Sequence, residues 1–480
     1  MVETFKFEDK LKRNLYIMIG CGLLGLVLAF FLYPNNQHSR FWSNILLNAY
    51  YFTGIGIFGI FFAAANQLGY GGWITLIKRI FMSLSGFIVV GAVFAALIVA
   101  GVWGHFHNLY SWASPEGFKE ISNTKQTFFA TPFWTVRVAV YFVLWILAGK
   151  AVINAINAKN IGDKVVYKRS KLMAALWIVI FAVTESFVSW DLVMSTDTHW
   201  YSTLFGWYNF ASYGCAAFAF TILLIIYLKS KNYLAQVNEN HLHDVGKMMF
   251  GFSILWTYLW FDQFMLQWYG NIPEDTRYWV KRFDVPLFKF TVFFALGINF
   301  LAPLLMFIKR DWKRNYQRAG FIAVLVIIGH YFDFFNMTMY EPNNAIKKDV
   351  IDAKKDALKA KVATVFYAEA KTEAKAAAKD EKAGTDVAAD AKHNGEASQE
   401  VKSEGKEEVK ESGKHVALEP AEPQEATQTY AGFGIAEILI FTGFLGGFLL
   451  MFFNEFSKDT VFNENDPYLK ESQNLHVEYA

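Results

Sequence analysis

Residues 80–102 read IFMSLSGFIVVGAVFAALIVAGV, an unbroken apolar run without a single charge. A helix needs about 20 such residues to cross the hydrocarbon core of a bilayer. Nine further stretches are mostly apolar over a similar length, some with one or two charges: 15–33, 45–66, 133–153, 172–194, 204–228, 248–268, 287–308, 321–339 and 431–453. Lipid offers no hydrogen-bond partner to a backbone, so each run must be helical or part of a closed barrel. Barrel strands alternate in hydrophobicity over about ten residues, and these runs do not. The expectation is an all-α membrane protein with about ten transmembrane helices.

Composition supports that class. Hydrophobic residues make up 54% of the 480 and charged residues 18%, with 48 Phe, 23 Tyr and 15 Trp. Much of the charge is concentrated in residues 347–425, so the remainder is more apolar than the average. A net charge of +2 without a basic domain argues against nucleic acid as a partner. Cys21 and Cys215, the two cysteines, both lie inside apolar runs. They exclude a disulfide framework, a CxxCH haem attachment and an iron–sulfur cluster held by this chain alone.

The Lys and Arg distribution orients the spans. With the N-terminal tail inside, inner segments carry 19 of these residues and the short outer loops 6. Both termini are then expected in the cytoplasm. The domain plan is a tail (1–14), a nine-span unit (15–344), an insertion (345–428), a tenth span (429–456) and a second tail (457–480). The tail 1–14 mixes acids and bases and reads as a lead into the first anchor, not as a removable signal. The insertion is rich in Ala, Lys and Glu and cannot bury a core. It is expected on the outer side as a disordered or loosely helical segment, or as a docking arm, with 345–379 able to form a solvated helix. Val188-Ser189-Trp190-Asp191-Leu192-Val193 and His330-Tyr331-Phe332-Asp333-Phe334-Phe335 each close a span with an acid in an aromatic setting. Spans four apart share an orientation, so this faint repeat predicts two parallel four-helix bundles, spans 2–5 and 6–9, plus two peripheral helices.

An ionisable side chain at the bilayer centre costs about 2.5–3.5 kcal/mol on insertion scales and is a functional candidate by default. Seven qualify as proton-path candidates: Arg137, Glu185, Asp191, Asp262, His330, Asp333 and Glu437. All fall between mid-depth and the outer surface. His330 and Asp333 share a helix face and are placed to exchange a proton. Glu185 is the deepest acid, and Ser189, Tyr208 and Tyr258 are hydroxyls able to extend a relay. The plainer readings are an interfacial position for Asp191, an ion-pair role for Arg137, outward snorkelling for Glu437 and a register-fixing buried pair for the rest. A membrane b-type haem commonly takes two facing imidazoles, yet His330 is the only histidine well within a span. No P-loop or HExxH motif is present. The chain is therefore expected to bind no redox cofactor of its own.

Phe261-Asp262-Gln263-Phe264-Met265, followed by Gln267-Trp268-Tyr269-Gly270-Asn271-Ile272-Pro273-Glu274-Asp275-Thr276, resembles the signature that leaves span 7 in the large membrane subunits of alternative complex III. Asn465-Asp466-Pro467-Tyr468-Leu469-Lys470-Glu471-Ser472 is similar to the tail of the same proteins. These are members of the NrfD/polysulfide-reductase family of ten-helix subunits, and the resemblance covers the chain apart from its insertion. It implies a place in a bacterial inner-membrane quinol:cytochrome c oxidoreductase. The implied partners are an iron–sulfur subunit, a multihaem cytochrome c subunit, the paralogous ten-helix C subunit, membrane lipid and a terminal cytochrome oxidase. The chain is closer to the F subunit, often labelled a second quinone-binding subunit. The C subunit reading stays open, with menaquinone as the ligand and His105, His107 and Glu185 as quinone-site candidates. The insertion and the wording of span 9 depart from the family pattern, so its acids do not transfer directly. Two rivals remain: a scaffold that anchors catalytic partners, and a secondary transporter, for which Pro303 in span 8 has no counterpart in span 4.

Overall fold

The computed structural model describes residues 4–341 and 433–475. The chain divides into two units, and these residues belong to the first. The expected insertion 345–428 lies outside the described residues. Apart from one isolated bridge between Thr4 and Thr460, the described chain is helical.

Eleven helices carry the fold. They are α1 (Asp9–Leu32), α2 (Asn35–Leu68), α3 (Lys78–Trp103), α4 (Thr131–Ile156), α5 (Lys164–Thr196) and α6 (Phe205–Ser230). There follow α7 (Glu239–Gly270), α8 (Pro273–Asp284), α9 (Pro286–Phe307), α10 (Tyr316–Glu341) and α11 (Ile435–Phe456). Among the described residues nine are long and apolar enough to cross a membrane, namely all but α7 and α8. This differs from the expected ten at α7. That helix has 32 residues, but Trp256, Tyr258, Trp260, Asp262 and Gln263 interrupt its aliphatic character. Its length nevertheless corresponds to about 48 Å at 1.5 Å per residue. It also joins the same two ends as its neighbours.

Those ends are defined by contacts between connections. At the end holding both termini, Lys78 Nζ pairs with Asp466 Oδ2 at 2.8 Å and Asn240 Nδ2 donates to the Leu475 carbonyl at 2.8 Å. At the far end the Trp200 and Tyr278 rings stack at 3.9 Å, and Gln267 Oε1 accepts from Trp279 Nε1 at 2.7 Å. Asp197 lies here as well. Burial raises its carboxyl, but Lys281 and Arg282 outweigh that and hold it below the usual carboxylate range.

Two helices form the interior: α2 and α6 are buried along nearly their whole length. Around α2 pack α3, α4, α5, α6 and α11, while α7 lies along α6 and against α9. The outward faces stay apolar, with Leu23, Phe31, Leu147, Val179 and Leu305 all exposed. So much exposed aliphatic surface on long helices is the surface of an integral membrane protein. The first helix is peripheral and packs lengthwise on α11. A Cβ built on Gly22 would lie 2.4 Å from Gly443 Cα, so the two backbones touch. Two helices widen into π turns, at Ser189–Val193 in α5 and Gly297–Leu301 in α9. The second precedes Pro303, whose ring has no N–H and crowds the carbonyl four residues back.

Candidate functional site: two buried carboxyl groups in separate cavities

Local sequence sets where each acid points. In α5, Glu185 and Ser189 are one turn apart, so both face α2 and α6. Ser189 Oγ lies 3.2 Å from Glu185 Oε1 and 2.7 Å from the Tyr50 hydroxyl of α2. Ser186 Oγ donates to Oε2 at 3.3 Å. From α6 the Tyr213 hydroxyl faces the same carboxyl without closing a full hydrogen bond. Beside these groups is a small cavity of about 20 Å³, lined by Ala49, Gly54, Ile98, Phe142, Trp145 and Leu192 among others. It is mostly apolar, with Glu185, Tyr50, Thr53 and Tyr213 on its wall, and its volume suits about one water molecule.

Asp333 of α10 occupies the second site. Its Oδ1 accepts the Tyr208 hydroxyl, and its Oδ2 accepts Ser212 Oγ at 2.8 Å and Trp256 Nε1 at 2.8 Å. Ser212 Oγ also lies 2.9 Å from His330 Nδ1. With its single proton given to Asp333, Ser212 accepts from His330 Nδ1, which leaves Nε2 as the bare ring nitrogen. That Nε2 is buried without a partner. The predicted His330–Asp333 couple therefore exists, but through Ser212. A second cavity of about 20 Å³ adjoins Asp333, walled by Trp260, Gln263, Tyr278, Trp279 and Arg282.

Neither Glu185 nor Asp333 has an ion-pair partner among the described residues. At 1.5 Å per residue they lie roughly 16 and 12 Å from the far ends of their helices. The two sites meet on α6, where Ser212 faces one carboxyl and its neighbour Tyr213 the other.

No protein-family model matches the chain, and none of the curated proteins compared with it does. Its chemistry is read from its own residues.

The remaining candidates separate. Asp191 is fully buried and bound to Arg137 in a two-pronged ion pair, Nε to Oδ2 at 3.1 Å and Nη2 to Oδ1 at 2.7 Å. Tyr141 adds a third bond at 3.0 Å. This pair is a fixed brace between α4 and α5. Glu437 does not snorkel: it is fully buried and paired with Arg40 Nε at 2.8 Å. The partner comes from the extension of α2 beyond its apolar run, which carries Arg40 into the helix 397 residues from Glu437 in sequence. Asp262 is half-exposed and lines neither cavity. Tyr258 faces outward.

The quinone candidates divide as well. His107 is buried, with Nε2 donating to the Ile98 carbonyl at 3.1 Å and Nδ1 accepting the Leu109 N–H. Burial pushes its imidazole below the usual histidine range. His105 is exposed at a left-handed backbone position, φ 52°. Neither histidine lines the Glu185 cavity. Among the described residues no three His, Cys, Asp or Glu side chains converge as metal ligands.

Proposed function

We propose that this chain is a haem-free membrane subunit of a respiratory quinol:cytochrome c oxidoreductase of the alternative complex III kind, and that Glu185 and Asp333 carry protons in it. In this reading ten helices cross a bacterial cytoplasmic membrane, α7 included, with both termini in the cytoplasm. Spans 2–5 and 6–9 form two parallel four-helix bundles, and each bundle holds one of the two acids. Iron–sulfur, multihaem cytochrome and paralogous membrane subunits supply the redox centres, and menaquinol is the reductant.

The observation that carries the proposal is a pair of buried carboxyl groups, each ringed by hydroxyls and lacking any cation. An acid fixed for structure is normally paired, as Asp191 and Glu437 are, because an unpaired buried charge is costly. A hydroxyl-ringed carboxyl gains and loses a proton without breaking an ion pair. The cavity beside Glu185, about 20 Å³, suits a water molecule rather than a quinone ring, so the proton role is favoured over a quinone site there.

The test is quinol turnover and proton release in the assembled complex carrying Glu185→Gln or Asp333→Asn. Either substitution is expected to lower both by tenfold or more. Unchanged turnover and release contradict the proposal. A scaffold role predicts poor assembly with normal turnover per assembled complex, and the two ion pairs favour that as the second reading. A transporter is disfavoured because the two π turns fall in spans 5 and 8, which do not correspond between the bundles.

A further inference from the structure

One polar seam belongs to neither cavity. On the α2 face turned toward α10 and α11, Arg40, Asn44 and Asn48 recur at four-residue steps. Each Asn amide donates to the carbonyl one turn earlier, Asn44 Nδ2 to Arg40 O at 3.0 Å and Asn48 Nδ2 to Asn44 O at 2.9 Å. Asn44 Nδ2 also lies 3.3 Å from Glu437 Oε1. Both Asn side chains are completely buried, and both of their Oδ1 atoms lack a partner. The Tyr331 hydroxyl of α10 faces Asn48, is buried, and likewise lacks a full hydrogen bond. Tyr51 lies at the inner end of the seam, its ring 5.8 Å from that of Tyr331 and its hydroxyl donating to the Ile327 carbonyl at 3.0 Å.

Buried polar atoms almost always have partners, and a row of unpaired acceptors and hydroxyls is the setting in which ordered waters bridge. We infer that the seam between α2, α10 and α11 is a water-lined proton outlet from Asp333 to the far end, running past Tyr331, Asn48 and Asn44 to a mouth beside the Arg40–Glu437 pair. The inference rests on the proton role proposed for Asp333. Along the seam each water or hydroxyl accepts a proton on one side and gives up another on the other, so no group gains net charge. Glu437 marks the mouth and keeps its ion pair: Oε1 accepts from Arg40 and Asn44, and Oε2 accepts the Gly434 N–H at 2.9 Å, so it orders the last waters without taking up the proton. Arg40, stacked on the Tyr33 ring at 3.8 Å, holds Glu437 in place and repels other cations at the mouth. Gln37 is exposed just beyond it.

The alternative exit from Asp333 is its own cavity, past Gln263 and Arg282, and one experiment separates the two. The full chain is placed in lipid nanodiscs at a pH acid enough to protonate Asp333. Its carboxylic C=O band, identified as the band lost in Asp333→Asn, is followed by infrared spectroscopy after transfer to D2O. Asn48→Leu and Tyr331→Phe are each expected to slow hydrogen–deuterium exchange of that band by tenfold or more, while Gln263→Leu leaves it unchanged. Exchange as fast as wild type in Tyr331→Phe, or slowed exchange in Gln263→Leu, overturns the inference. Tyr331→Phe removes one oxygen and keeps the ring packing, so it carries the test if Asn48→Leu does not fold. If exchange slows as expected while Asp333→Asn leaves proton release by the complex intact, the seam stands and the proton role of Asp333 falls.

Discussion

At the scale of single residues, what separates the buried acids is their partners. Asp191 and Glu437 each have an arginine; Glu185 and Asp333 have hydroxyls and an indole. Residue type and depth do not distinguish these cases, and the sequence treats all four alike. The deciding neighbours are distant in the chain: Ser212 and Asp333 are separated by 121 residues and Arg40 and Glu437 by 397. Composition and spacing carry no signal for such pairs. The expected structural role of Arg137 was legible because a lone arginine in an apolar helix needs a carboxylate. Removing one partner of a buried ion pair typically costs about 3–5 kcal/mol. Asp191→Ala, which strands Arg137, should therefore lower the thermal midpoint of the detergent-solubilised protein markedly. Asp191→Asn, which keeps a partner for the Arg137 and Tyr141 side chains, should cost less. Equal midpoints for wild type and Asp191→Ala would remove the brace.

At the scale of elements, apolar run length was the readable quantity, since a helix without water must satisfy its own backbone. Every expected span corresponds to a helix, and nine of them pass on length and apolar character. The tenth, α7, is marked by its aromatic and amide residues, and in this bundle those side chains serve the Asp333 site: Trp256 donates to the carboxyl and Gln263 lines the cavity. In the proposed reading, the polar and aromatic side chains needed around Asp333 dilute the property that identifies a span. The π turns were not legible, because a widened turn depends on packing against neighbours as much as on Pro303. The contact of α1 with α11 was also hidden, since a glycine in an apolar run has many uses. Gly22→Leu must push the two backbones apart, and overpacking of this kind costs about 1–3 kcal/mol. The expected outcome is a lower thermal midpoint, together with loss of a disulfide cross-link engineered between neighbouring positions of α1 and α11. An unchanged cross-link would mean the helices do not depend on this approach.

At the scale of the whole molecule, the structure is a frame of apolar-faced helices with two buried acids that have no cation partner among the described residues. The frame is evident from helices whose outward faces are apolar along their length. The function is proposed from the acids, from the seam beside them and from the resemblance of the span 7 exit and the C-terminal tail. In this account the electron carriers belong to partner subunits. The most direct measurement is affinity purification of the tagged chain from its native membrane in mild detergent, followed by absorbance, paramagnetic resonance and activity assays. The account predicts co-purifying c-type haem and iron–sulfur signals, with quinol-dependent reduction of cytochrome c. A chain that purifies alone and folded, without those centres or that activity, would contradict it.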